Sequence, residues 1–251
     1  IKELAKTFRT NFGELDKVID FGHLDEDKDI RLDAISDYFK SEFSDAWREA
    51  KKFAVKEILN LIKKDLHSFN IIHDHWFSES SLGVVEDNNS DLSKSLKALK
   101  NHGYTYAKDG AEWFKTTEFG DDKDRVLLRE NKEPTYYLTD VGYHKNKIDR
   151  DFDSYINIFG ADHHGYIPRL SAAFNVMKKE HQSIEFLLYQ LVNLYEEGVK
   201  KTMSTRRGDY FSLSDLKDDL GPDVIKFFFL DKKSDHAMDF DMDLAKDESK
   251  N

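Results

Sequence analysis

The stretch "SYINIFGADHHGYIPRLSAAFNVMKKEHQSIEFLLYQLVNLY" constrains the fold of this chain more than any other. It reads as an apolar strand ending at a glycine, a helix over "YIPRLSAAFNVMKKEH", and a second apolar strand over "IEFLLYQLVNLY". Two parallel strands cannot be joined by a tight turn, so strand, helix and strand at this spacing imply a parallel βαβ unit and an α/β fold. Ligands of open α/β sheets lie beyond the carboxyl ends of the strands, which makes the polar residues there the first candidates for a site.

Periodicity arranges the rest of the chain around that unit. The first seventy residues read as amphipathic helices, with Phe53, Val55, Ile58, Leu61, Ile62 and Leu66 at three and four spacing and expected to pack on something else. After "NIIHDHWFSESSLGVVEDNNSD" a helix is expected at "SDLSKSLKALKNHG", started by a Ser or Asp cap and stopped by Gly103. Residues 104–139 read as β structure. Asp109-Gly110 between two aromatic-rich runs signals a hairpin, and "DRVLLRENKEPTYYLT" offers a second pair of strands. Two capped helices follow in "SLSDLKDDLGPDVIKFFFL".

A formal net charge of -11 argues against a surface generally adapted to nucleic acid or anionic lipid, so any phosphate binding must be local. The absence of cysteine excludes disulfides, thiolate metal sites and thiol chemistry. No apolar run approaches the roughly 20 residues that a bilayer requires. The chain begins without Met and reads as a piece of a longer protein.

Three stretches present polar groups where a ligand is expected. In "TYYLTDVGYHKNK", Tyr136 and Asp140 stand at i and i+4, an aromatic wall and a carboxylate suited to a cationic side chain. Position alone favours a helix cap for Asp140. In "IFGADHHGYIPR", Gly160 and Gly165 bracket Asp162, His163 and His164 directly after the apolar strand. A metal-dependent phosphoesterase of the Asp-His-His kind is one reading, with His73, Asp74 and His75 as further ligands. No convincing set of additional acidic motifs accompanies them, and a capping Asp with a backbone-bonded His is the simpler reading. In "GVKKTMSTRRGDYF", Lys200, Lys201, Arg206 and Arg207 flank Met203, Ser204 and Thr205. Such a loop can meet the charge that develops in phosphoryl chemistry, although a short charged loop is usually a solvated turn.

"WFSESSL", "DGAEWFKTTEFGDDKDRVLLRE", "PTYYLTDVGYHKNK", "DRDFDSYINIFGADHHGYIPRL", "MSTRRGDYFSLSDL" and "FFFLDKKSDHAMDFDMDLAKDES", in this order, resemble arginyl-tRNA synthetase of the bacterial type over about residues 55–250. The resemblance implies a class I fold with a Rossmann-type parallel sheet, a helical N-terminal segment and a β-containing insertion. It implies the use of ATP, with magnesium as its counter-ion, to join arginine to tRNA through an arginyl-adenylate. Tyr136 and Asp140 match the positions that hold the substrate guanidinium, which displaces the cap reading. His164 falls beside the bound amino acid, and Gly160, Asp162 and His163 fall on the nucleotide side. Met203, Ser204, Thr205, Arg206 and Arg207 match the second class I signature, whose general form is Lys-Met-Ser-Lys-Ser. Thr202 and Thr205 replace both lysines here, which leaves Lys201, Arg206 and Arg207 as the candidate cations.

The first class I signature, of the His-x-Gly-His type, does not occur; "DFGHLDED" has a single histidine, His23. The expected layout is a helical segment over 1–70, the insertion over 71–134, the second half of the nucleotide fold over 135–200, and the signature loop with a helical stem over 201–251. An isolated piece of this kind is expected to have little activity. Its parent is expected to be a monomeric cytoplasmic ligase with no membrane contact. A noncatalytic binding module derived from a synthetase is the other expectation carried forward.

Overall fold

The computed structural model describes residues 6–7, 28–203 and 211–248, and the chain divides into two compact units at residue 72. The first contains α1 (Lys28–Glu42) and α2 (Ser44–Ser68). Phe39, Phe43 and Trp47 group their rings where these helices meet, with Phe39 and Trp47 stacked at 6.5 Å. The apolar stripe of α2 is not covered as its periodicity suggests, because Val55, Ile58, Leu61 and Ile62 are all exposed.

The second unit begins with a 3-10 turn at Glu79–Leu82 and continues into α3 (Asp91–Asn101). Ser90 caps α3 by accepting from the Ser93 N–H at 3.0 Å, and Gly103 ends it in the left-handed region at φ +76°. Leu92, Leu96 and Leu99, at helical spacing, face inward. The hairpin of β1 (Thr105–Lys108) and β2 (Ala111–Phe114) turns at Asp109 and Gly110, both with positive φ. That is the geometry for which an Asp-Gly pair is favoured.

β3 (Arg125–Leu128) joins β2 antiparallel, but the expected partner strand after it is absent. The return leg is reduced to one bridge between Leu128 and Pro134. Pro134 has no N–H to extend the ladder, and Thr135 caps a new helix with its hydroxyl instead. That helix, α4 (Tyr136–Asp149), packs on α3 and on α5 (Ile167–Met177). Leu82, Leu99, Phe114, Leu127, Leu138, Val141 and Leu170 lie in one buried cluster, so the β-rich segment and the βαβ unit share a core.

β4 (Ser154–Gly160), α5 and β5 (Ser183–Tyr189) form the expected parallel unit, paired in register from Ser154 with Ser183 to Gly160 with Tyr189. Tyr155 and Phe174 tie α5 to one side of these strands, while Ile156 and Ile158 on the other side are each 62% exposed. The run expected as a single strand over 184–195 is two strands in different sheets. At Gln190 the N–H donates to the Ser234 carbonyl, and the Leu191 carbonyl accepts from Met238. These bonds draw the chain away from β4 and lead β6 (Val192–Glu196) into parallel pairing with β8 (Met238–Asp241). β7 (Val199–Lys200) pairs antiparallel on the other edge of β6. Helices α6 (Leu213–Leu220), α7 (Pro222–Leu230) and α8 (Met242–Glu248) complete the described residues. A capping box between Ser212 and Asp215 starts α6.

Gly142 lets α4 approach its neighbours closely, since a Cβ there would stand 3.3 Å from both Leu82 Cδ2 and Leu92 Cδ1. Gly142→Val should therefore overpack this contact and cost about 1–3 kcal/mol, read as a lower urea midpoint at unchanged slope.

Candidate functional site

Tyr136 is the first residue of α4 and is 82% exposed. Asp140 lies one turn further on, so the two side chains share a helix face. Thr135, not Asp140, is the cap of this helix. Asp140 is half-buried, and its Oδ2 accepts a hydrogen bond from the Tyr166 hydroxyl at 2.6 Å. Burial raises the Asp140 carboxyl above its ordinary pKa, and the nearby charge of Glu79 adds to that, against the Tyr166 hydrogen bond and His163. Glu79 sits on the 3-10 turn that packs on α4, and its charge bears on Asp140.

The backbone under Asp140 is held from below. The Asp140 carbonyl lies 2.8 Å from His144 Nδ1, and His144 Nε2 lies 2.8 Å from Asn157 Nδ2 on β4. A carbonyl cannot donate, so Nδ1 carries the proton and Nε2 accepts from the amide. The amide orientation agrees, because Asn157 Oδ1 accepts from Lys147 Nζ at 2.6 Å. His144 and Asn157 are each 3% exposed. Burial pushes the imidazole pKa down to about 4. Burial, with Arg150 nearby, pushes the Lys147 ammonium down to about 8.

Tyr166 is itself secured. Its ring meets Tyr137 edge to face at 6.3 Å, and the Arg169 guanidinium stands 5.0 Å above it. Tyr137 donates through its hydroxyl to the Arg169 carbonyl at 2.7 Å. Arg169 Nε lies 3.8 Å from Asp121 Oδ2 and has no hydrogen-bond partner among the described residues. Asp121 accepts two bonds from Arg125, at 2.7 and 2.8 Å. Burial opposes the charge on Asp121, but Arg125 and the backbone of Asp122 outweigh it and hold the carboxyl below the usual carboxylate range.

Sequence reasoning singled out Asp162, His163 and His164, and the structure leaves all three exposed on the 3-10 turn Ala161–Tyr166, just past β4. His163 Nε2 stands 3.6 Å from Asp162 Oδ2, and its ring lies 5.9 Å from Phe159. Gly160 is buried, and a Cβ there would meet Asp162 Oδ1 at 2.5 Å, so the glycine lets the aspartate fold back over the strand end. Neither a side-chain cap from Asp162 nor a cluster of three His, Cys, Asp or Glu suited to a metal ion occurs among the described residues. His73, Asp74 and His75 are exposed before the Glu79 turn.

Lys201 follows β7 and pairs with Glu196 at 2.6 Å, while Met203 is 47% exposed. Ser204, Thr205, Arg206 and Arg207 lie outside the described residues. Sequence reasoning missed Glu79, His144, Asn157 and Tyr166 as parts of the site. The "HHGY" spacing offered one signal for Tyr166, placing it at the helix start beyond the strand.

His144 yields a stability prediction. Its folded pKa of about 4 is depressed below the ordinary 6.5, so folding favours the neutral ring. That contribution is complete above pH 6.5 and is lost as the pH falls through 4. A loss on the order of 3 kcal/mol is expected, and His144→Gln should flatten the slope of stability against pH over this window in denaturant titrations.

The family model for the catalytic domain of class I tRNA synthetases (R) matches residues 11–239. The arginine–tRNA ligase of Oceanobacillus iheyensis is 46% identical over 202 residues, 79% of this chain and 35% of that protein. That of Legionella pneumophila strain Corby is 43% identical over 224 residues, 89% of this chain and 38% of that protein. The chain thus spans little more than a third of these curated relatives. A crystal structure assigned as an arginyl-tRNA synthetase of Campylobacter jejuni superposes with a TM-score of 0.70 at 30% identity, covering 96% of this chain and 52% of that one. The Thermus thermophilus arginyl-tRNA synthetase shares the fold at a TM-score of 0.62 and 15% identity, over 97% of this chain and 52% of that one. The chain belongs to the class I tRNA synthetase family of the arginine type, within its catalytic domain.

Proposed function

We propose that this chain is the central part of an arginine–tRNA ligase and that Asp140 seats the guanidinium of arginine. The observation that carries the reading is the half-buried Asp140 carboxylate beside the exposed Tyr136, with the charge of Glu79 bearing on it. A planar fork of N–H donors suits a carboxylate in two-point contact, and the phenol ring supplies a face for stacking. Glu79 adds a second negative charge, which favours a cation in this seat over a neutral side chain.

The arginine carboxylate then attacks the α-phosphate of ATP, giving the adenylate and pyrophosphate, and the terminal ribose hydroxyl of tRNA takes the arginyl group. His164 stands beside the amino acid in this reading, and Gly160, Asp162 and His163 border the nucleotide at the end of β4. Met203 begins the loop that meets the phosphates, with Ser204, Thr205, Arg206 and Arg207 following it in sequence. Lys201 reaches the phosphates only by leaving Glu196. Magnesium arrives with the triphosphate rather than in a protein-borne site.

We assign 1–70 to a helical segment, 71–134 to the insertion, 135–200 to the second half of the nucleotide fold and 201–251 to the loop and stem. We take the parent to be a cytoplasmic, monomeric ligase; no helix among the described residues is long and apolar enough to cross a membrane.

Arginine titrated into the chain should shift the resonances of Tyr136 while lysine does not, because only the guanidinium can pair with both carboxylate oxygens. Asp140→Asn should weaken arginine binding roughly 100-fold, as expected when one partner of a charge pair is lost. Equal responses to arginine and lysine, or an unaltered affinity in Asp140→Asn, sink the reading. With no His-x-Gly-His signature in the sequence, pyrophosphate exchange by this chain with tRNA present should be close to background, and robust turnover would contradict that.

A further inference from the structure

We infer that Tyr166 is a positioning residue for the substrate: its hydroxyl fixes the Asp140 carboxylate through one lone pair of Oδ2 and leaves Oδ1 and the second lone pair of Oδ2 to accept the guanidinium. The inference rests on the arginine seat proposed above and adds to it a residue that never touches the substrate.

Three observations support it. Tyr166 donates to Oδ2 at 2.6 Å, while among the described residues no donor is placed on Oδ1. The phenol itself is immobilised by the Tyr137 ring and by the Arg169 guanidinium above it. Finally, Arg169 is held near Asp121, which Arg125 grips with two bonds, so the carboxylate is oriented by a chain of contacts that begins between β2 and β3.

The groups facing Asp140 act in opposite directions. Burial and Glu79 favour its protonated form, whereas Tyr166 and His163 favour the carboxylate. Burial and the bond to Asp140 disfavour ionisation of Tyr166, while Arg169 and Arg125 favour it. Tyr166 therefore favours the ionised form of Asp140 that a guanidinium needs, partly offsetting the burial and the neighbouring acid that raise its pKa. Without the hydroxyl the carboxyl titrates at higher pH, so the affinity for arginine falls most on the acid side.

The test uses Tyr166→Phe, which keeps the ring against Tyr137 and beneath Arg169. Carbon-13 NMR of the Asp140 carboxyl is followed from pH 3 to 8 without ligand, and arginine affinity is measured by calorimetry at pH 5 and pH 8. The carboxyl titration should move to higher pH in the variant. Arginine binding should weaken about tenfold at pH 5 and much less at pH 8, in keeping with the loss of one hydrogen bond to a charged group. A purely structural role weakens binding equally at both pH values and leaves the titration in place. That result, or an unchanged affinity, overturns the role of Tyr166 while leaving the seat intact. A wild-type chain that binds no arginine at either pH overturns the seat and this inference together.

Discussion

The Asp121 carboxylate is the interaction on which the geometry of the site depends. It is 8% exposed and carries a negative charge, sustained by two hydrogen bonds from Arg125, one from the Asp122 backbone N–H, and the nearby Arg169. Removing Arg125 takes away both side-chain hydrogen bonds that meet the Asp121 charge. Because Arg125 opens β3 and Arg169 lies in the first turn of α5, the cluster joins the hairpin segment to the βαβ unit. The shared apolar cluster around Phe114 and Leu138 makes the same connection by packing. Charge fixes the angle and apolar contact supplies the bulk of the cohesion.

From this junction the order passes to the site by two routes that converge on one residue. Above, Arg169 and Tyr137 hold Tyr166, which holds the Asp140 side chain. Below, Lys147, Asn157 and His144 form a line of hydrogen bonds ending at the Asp140 backbone carbonyl. The second line ties α4 to β4 and requires a neutral imidazole, which the low dielectric around it favours. An aspartate held at its carboxylate by Tyr166 and at its backbone carbonyl by His144 loses little orientation when a substrate arrives, and that is what a specific seat requires.

Much of the fold was legible because its signals are local. The glycine after "SYINIF", the helix and the next apolar run announce the parallel unit, and Asp109-Gly110 announces the hairpin. The break at Gln190 was hidden because Ser234 and Met238, more than forty positions on, decide it. The missing strand after Leu128 turned on Pro134 and on the capping hydroxyl of Thr135, where two weak local signals competed with an apolar, aromatic run. For the site, Tyr136 and Asp140 stood out by their spacing, and the adjacent imidazoles drew attention away from Tyr166 two positions later. Glu79 and Asn157 carry no local mark at all. They belong to the site through tertiary placement alone.

The β-rich segment is thus joined by contiguous contacts to the proposed arginine seat. A survey scoring only direct ligand contacts would pass over position 121, yet a lesion there would reach the seat by tilting a phenol two residues removed from it. On the proposed reading, a genetic screen would register such a change as a defect in amino-acid selection, although it lies in the β-rich segment and outside the seat itself.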